Sequence, residues 1–282
     1  MTAPPGAPSA LRLAVVSDVH GRTEGLAEAA LGADLFVCLG DLILFLDYDD
    51  PGQGIFADVH GEAQARRYIE LRTSGLWAQA RDLSAALWGA LDEQPWAVIG
   101  RAVERQYREV FAALPAGLIT YGNVDVPAQW GQHLRPHHQL LDGRSIEVGG
   151  VRLGFVGGGL PSPMRTPYEI PEEEYDAKIE SLGPVDVLFA HLPPALPELL
   201  YDVRARRFER GSQGLLRAVE RWQPRYLFHG HVHNPLSSRT RVGRTEIVNV
   251  GHFRAIGRPL RVEVPVPAPA GTDGRAVGRP GG

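Results

Sequence analysis

Apolar residues recur along this chain in short runs, each closed by a polar residue able to bind an ion or move a proton. Runs over 11–17, 34–39, 118–121, 185–190 and 226–229 are nearly continuous in aliphatic and aromatic residues, the pattern of strands covered on both faces. Further strands are predicted over 145–148, 151–156, 245–250 and 260–264. Helical spacing predicts a short helix from a Thr23 cap through 31, with Leu26, Ala29 and Ala30 on its apolar side. Two more helices are expected near 172–181 and 215–222, the second capped by Ser212. Strands alternating with helices point to an α/β fold.

Between Asp41 and Asn123 lie 81 residues, far more than the roughly a dozen that a crossover needs. Helices are expected there over about 60–72, 76–90 and 96–114, as an insertion at about 43–117 packed beside or over the carboxyl edge of the strands. Its Trp77, Trp88 and Trp96 either fill the insertion's own core or stack on substrate. The acidic loop 46–54 lacks the spacing of a calcium loop, and its charges are expected to be solvated. Gly157-Gly158-Gly159-Leu160-Pro161 is no dinucleotide fingerprint, because Pro161 and Pro163 deny it the helix that would hold a pyrophosphate. These glycines instead allow a tight exit from the strand. One domain is expected over 11–264, with flexible ends at 1–10 and 265–282.

Composition narrows the function classes. At 282 residues and 44% hydrophobic content the chain can bury a large core. A formal charge of -4 argues against a broad nucleic-acid surface, though not against a local basic groove. The single Cys38 lies inside an apolar strand and reads as a buried thiol; with no intrachain disulfide possible, a cytoplasmic protein is expected. No run approaches the ~20 apolar residues of a membrane span, and the Pro/Ala-rich start lacks the pattern of a signal peptide.

The chemistry sits at the strand ends. Asp18-Val19-His20 follows the first strand, and it is echoed by Gly40-Asp41, Gly122-Asn123-Val124-Asp125, His191 and Gly230-His231-Val232-His233. Asp18, His20, Asp41, Asn123, His191, His231 and His233 deliver more oxygen and nitrogen donors than one ion needs, which suggests two metals. Without thiolates, such a set favours Mn, Fe, Zn or Ni. Asp41 is the natural bridge. Two ions would lower the pKa of a bridging water and neutralise phosphoryl oxygens, so no side-chain nucleophile is required.

In this order the motifs resemble those of the calcineurin-like metallophosphoesterases, over roughly residues 11–252. The resemblance implies a four-layer αββα sandwich with ligands on loops at one edge, and hydrolysis of phosphoesters by a metal-bridging hydroxide. It implies that Asp18, His20, Asp41 and His233 hold a first divalent or mixed-valence ion, and Asp41, Asn123, His191 and His231 a second. Many family members carry His directly after the motif Asn, where this chain has Val124, which cannot exchange a proton. Loss of a general acid typically costs ~10²–10⁴-fold with poor leaving groups, so phosphodiesters or activated esters of small substrates are expected. Asp125 is expected to orient a neighbour. Gly251-His252 replaces a frequent Gly-Ser, and His252 faces phosphate or stands as a surface imidazole. Arg22 is a candidate phosphate contact and His60 a candidate for reaching over the site, whereas His133, His137 and His138 are expected to be non-ligands. The alternatives are a phosphomonoesterase, a nuclease acting on strand ends, and a metal-binding regulatory protein with little activity. No membrane partner is expected, and the oligomeric state is not legible.

Overall fold

Alternate residues of the central strands pack toward opposite faces of the sheets, which builds the molecule in layers. The computed structural model describes residues 10–266. Its strands are β1 (Ala10–Val16), β2 (Leu35–Cys38), β3 (Gly117–Ile119), β4 (His138–Leu140), β5 (Arg144–Val148), β6 (Val151–Val156), β7 (Val187–Ala190), β8 (Tyr201–Asp202), β9 (Arg207–Phe208), β10 (Tyr226–His229), β11 (Arg239–Val242), β12 (Thr245–Asn249) and β13 (Leu260–Pro265). Its helices are α1 (Ile55–His60), α2 (Glu62–Thr73), α3 (Trp77–Gly89), α4 (Pro95–Ala113), α5 (Pro127–Trp130), α6 (Glu172–Leu182), α7 (Pro197–Leu200), α8 (Gln213–Trp222) and α9 (Phe253–Ile256).

One sheet runs β13-β1-β2-β3-β4 and the other β11-β12-β10-β7-β6-β5. In β1, Leu13 and Val15 face the second sheet while Ala14 and Val16 face the helices outside. In β7 the same alternation sends Val187 and Phe189 between the sheets and Leu188 and Ala190 under α6 and α8. Both faces of both sheets are therefore covered, which is why the strands read as continuous apolar runs. This is the αββα sandwich. The parallel strands β1, β2 and β3, and β6, β7, β10 and β12, all end at the same edges from which the candidate site residues depart.

Several expectations change in detail. The stretch from Thr23 to Leu31 is a series of i to i+3 turns, Leu26 N–H to Thr23 O and Ala29 N–H to Leu26 O among them, and not a helix. Gly25, in the left-handed region at φ 77°, interrupts a helix there. β4 and β11 were not expected; both are short edge strands, and the polar β11 pairs antiparallel with β12. Ala10 pairs with Pro265, so the ladder includes these two residues at the boundary of the expected flexible ends. Residues 1–9 and 267–282 of those ends lie outside the described residues. Ser212 caps α8 as predicted, accepting from Leu215 N–H at 3.0 Å. No helix among the described residues is long and apolar enough to cross a membrane.

The inserted helices do more than fill space. Gln106 of α4 accepts from Leu44 N–H (2.7 Å) and donates to Leu44 O (3.1 Å), bracing the chain just after Asp41. Tyr107, buried beside it, accepts from Val126 N–H at 2.7 Å. Trp88 packs against Phe45, Phe56 and His60 within the insertion, whereas Trp96 is 81% exposed.

Candidate metal centre

The candidate ligands leave the sheets in backbone conformations that few side chains adopt. Asp18 (φ 57°), His20 (φ 41°), Asp41 (φ 55°) and His231 (φ 69°) are all left-handed. Such residues cost on the order of 1–3 kcal/mol each and persist where the surroundings over-determine them. Here strand ends hold one another: Asp18 N–H donates to Gly40 O (3.1 Å) and His20 N–H to Asp41 O (2.9 Å). Gly40 (φ 91°) permits the crossing, because a Cβ there would run into the backbone of Gly122.

Asp125 ties these turns together from behind. Its fully buried carboxylate accepts from Asp41 N–H (2.8 Å), Leu42 N–H (3.0 Å) and Gly122 N–H (2.7 Å). Burial first, and then the charge of Asp41, push this carboxyl up to about 7 against the pull of those N–H groups. An asparagine would turn an NH₂ toward backbone donors. Asp125→Asn is therefore expected to destabilise the protein by about 1.5–3 kcal/mol, read as a lowered denaturation midpoint; an unchanged midpoint would remove Asp125 from this role.

Side chains gather on both sides of Asp41. On one side His20 Nε2 lies 3.8 Å from Asp41 Oδ2, 3.9 Å from Asp18 Oδ1 and 3.2 Å from His233 Nε2. On the other, His191 Nε2 lies 3.4 Å from Asp41 Oδ2 and 2.8 Å from Asn123 Oδ1, which is also 2.8 Å from His231 Nδ1. All seven sequence-predicted ligands are thus brought together. His252 joins the first group: its ring stacks on His233 at 3.8 Å, and donor atoms of His20, His233 and His252 all lie within 4.8 Å of one another.

The donor set fits a cation. His20 donates Nδ1–H to Ile43 O (2.9 Å) and His191 donates Nδ1–H to Leu39 O (3.0 Å), so in the neutral rings both Nε2 lone pairs face carboxylate and carbonyl oxygens. Acceptors so arranged repel unless a proton or a metal lies among them. Asp18 Oδ1 and His231 Nε2 are buried with no hydrogen-bond partner. Burial would raise Asp18, but His233 holds it well below the usual carboxylate range; burial would likewise raise Asp41, which His191 and His20 pull down. Burial lowers His20 and His231. In His191 burial is overcome by Asp41, which lifts the imidazole to about 9, and in His233 by Asp18.

A pH dependence follows. The folded pKa of His191 lies above its unfolded value of 6.5, so in the metal-free protein its stabilisation is full below pH 6.5 and is lost as pH rises through about 9. A metal bound at His191 would replace that proton. Its apparent affinity is expected to rise across the same window by up to about tenfold per pH unit for each proton displaced, measured by calorimetry in buffers of different ionisation enthalpy. Affinity independent of pH from 6.5 to 9 would contradict this.

Other expected contacts resolve differently. Arg22 donates Nη1–H to Arg254 O (2.6 Å) and Ala255 O (3.4 Å), so its guanidinium is committed to carbonyls of α9 and not to phosphate. His60 is packed against Phe56 and Trp88 in the insertion. Asp47, expected to be an ordinary solvated charge, instead pairs with Arg254 at 2.7 Å, and Arg254 donates to His20 O at 2.9 Å. These partners stand 207 and 234 positions apart, and nothing local in the chain announces them. His133 and His138 lie against Phe111, and His138 Nε2 faces Leu114 O at 3.2 Å. Burial pushes the Cys38 thiol up to about 12, leaving it inert.

Two facing sheets with buried carboxylates and imidazoles at one edge define an architecture suited to binding metal ions. The chain belongs to the calcineurin-like phosphoesterase family, whose profile matches residues 11–235. The fold is similar to a solved structure at TM-score 0.55 and 14% identity, which covers 92% of this chain and 100% of the other. It is also similar to the protein TT1561 of Thermus thermophilus, at TM-score 0.51 and 13% identity with the same coverage. No curated protein matches the chain. The family makes this chain a metal-dependent phosphoester hydrolase.

Proposed function

We propose that the chain is a two-metal phosphoesterase selective for diesters or activated esters of small substrates. The observation that carries this reading is the convergence of two donor groups on the single carboxylate of Asp41. Asp18, His20, Asp41 and His233 would hold one ion, and Asp41, Asn123, His191 and His231 the other. When bound, the ions supply the Lewis acidity that brings water toward hydroxide at neutral pH and offsets charge on phosphoryl oxygens. Mn, Fe, Zn and Ni suit these donors.

The protein's own groups set the selectivity. Val124 donates its backbone N–H to Asp41 Oδ1 at 2.9 Å, steadying the bridge, while its side chain offers no proton to a leaving group. His252 is held neutral by burial, which pushes it down to about 2, and its Nε2 is buried without a partner. In this reading its neutral ring donates a hydrogen bond to a phosphoryl oxygen and does not protonate an alkoxide. A narrow cleft lined by Asn123, His231, Leu160, Leu192 and Arg210 lies beside the second group of donors.

The test is turnover of metal-stripped protein reconstituted with each metal, on aryl diesters, aryl monoesters and alkyl monoesters. Aryl esters are expected to be cleaved with metal only. No turnover with any metal, or alkyl monoesters cleaved fastest, would contradict the reading.

A further inference from the structure

Asn123 can serve a cation only if its carbonyl oxygen, and not its NH₂, faces His191 and His231. Nothing in Asn123 itself decides this, since the two ends of a primary amide have the same shape. The deciding contact comes from the loop after β6. Asn123 donates Nδ2–H to Thr166 Oγ1 at 3.0 Å. The Thr166 hydroxyl has one hydrogen, and Glu169 claims it: Thr166 Oγ1 donates to Glu169 Oε1 at 2.9 Å. With its proton committed there, the hydroxyl can only accept from Asn123.

Glu169 is itself fixed. Its carboxylate accepts from Thr166 N–H (2.9 Å), Ser162 N–H (2.9 Å) and Ser162 Oγ–H (2.5 Å). The backbone closes the same unit, with Tyr168 N–H donating to Asn123 O at 2.9 Å. Each member leaves its neighbour one hydrogen-bonding role, and the direction runs from Glu169 through Thr166 to the amide.

We propose that Thr166, oriented by Glu169, is a positioning residue that locks the Asn123 amide with its carbonyl oxygen toward the second metal position. This rests on the two-metal reading only for the identity of what Asn123 Oδ1 faces; the lock itself is a property of the metal-free protein. Partners behind a metal ligand typically change affinity by 10–100-fold when removed.

Thr166→Val keeps the shape and deletes the hydroxyl, and Thr166→Ser keeps the hydroxyl. The first readout is hydrogen exchange of the Asn123 side-chain NH₂ in metal-free protein, followed by NMR. Parent and Thr166→Ser are expected to protect it, and Thr166→Val to lose at least about tenfold of that protection. The second readout is calorimetric titration with Mn²⁺, where Thr166→Val is expected to weaken the weaker-binding step by about 10–100-fold and Thr166→Ser to restore it. Unchanged protection in Thr166→Val overturns the proposal, as does a loss of Mn²⁺ affinity that Thr166→Ser shares in full. Failure of the two-metal reading is distinguishable, because it would show as a single Mn²⁺ binding step in a parent whose Asn123 NH₂ remains protected.

Discussion

Asp41→Asn is expected to abolish tight binding of both ions and to cut turnover by at least about 10³-fold, beyond the 10²–10³ that removal of one electrostatic contact costs elsewhere. Among the described residues, Asp41 is the one carboxylate within 4 Å of imidazoles from both groups, 3.8 Å from His20 Nε2 and 3.4 Å from His191 Nε2. An asparagine can keep its oxygen toward Val124 N–H, so the loop survives, but its NH₂ then faces the positions a cation would occupy. Asp41 is also the largest influence lifting His191, so the metal-free variant should lose much of its stability change between pH 6.5 and 9. Metal content, turnover and pH-dependent melting read the three effects. Full metal content with parental turnover would remove Asp41 from the centre of the site.

Val124→His is expected to raise turnover of esters with poor leaving groups by about 10²–10⁴-fold while leaving aryl esters nearly unchanged. Val124 follows Asn123 directly and is partly buried, and its N–H on Asp41 fixes the backbone from which an imidazole there would start. In the parent the neighbouring ring outside the seven candidate ligands is His252, which burial keeps neutral. Turnover plotted against leaving-group pKa should therefore be steep for the parent and flatter for the variant. A parent already flat, and fastest on alkyl monoesters, would show that protonation at this position limits nothing and that the diester preference is wrong.

The central strands and the gathering of the donors at one edge were legible because they depend on local pattern, whereas the pairing of the strands into two facing sheets came from the family resemblance. Leu35 to Leu39 and Tyr226 to His229 read as strands from apolar runs alone, and a polar donor at the end of a parallel strand must emerge at the sheet's edge. What the chain hides is what one segment does to a distant one. Arg22 looks like a phosphate contact until α9 arrives with carbonyls to accept from it. Asp47 reads as surface charge until Arg254 covers it. Gly25 weakens a helix whose apolar spacing otherwise looks adequate, and only the turns around it reveal the outcome. The Thr166–Glu169 pair is of the same kind, since neither residue carries a motif and their value comes from lying against Asn123.

The most direct measurement is turnover of an aryl phosphodiester by metal-stripped protein as Mn²⁺ is added in known equivalents. A centre in which Asp41 joins two donor groups predicts no turnover before addition and a rise that levels near two ions per chain. Turnover that persists in stripped protein, or that saturates at one ion with the second without effect, would contradict it.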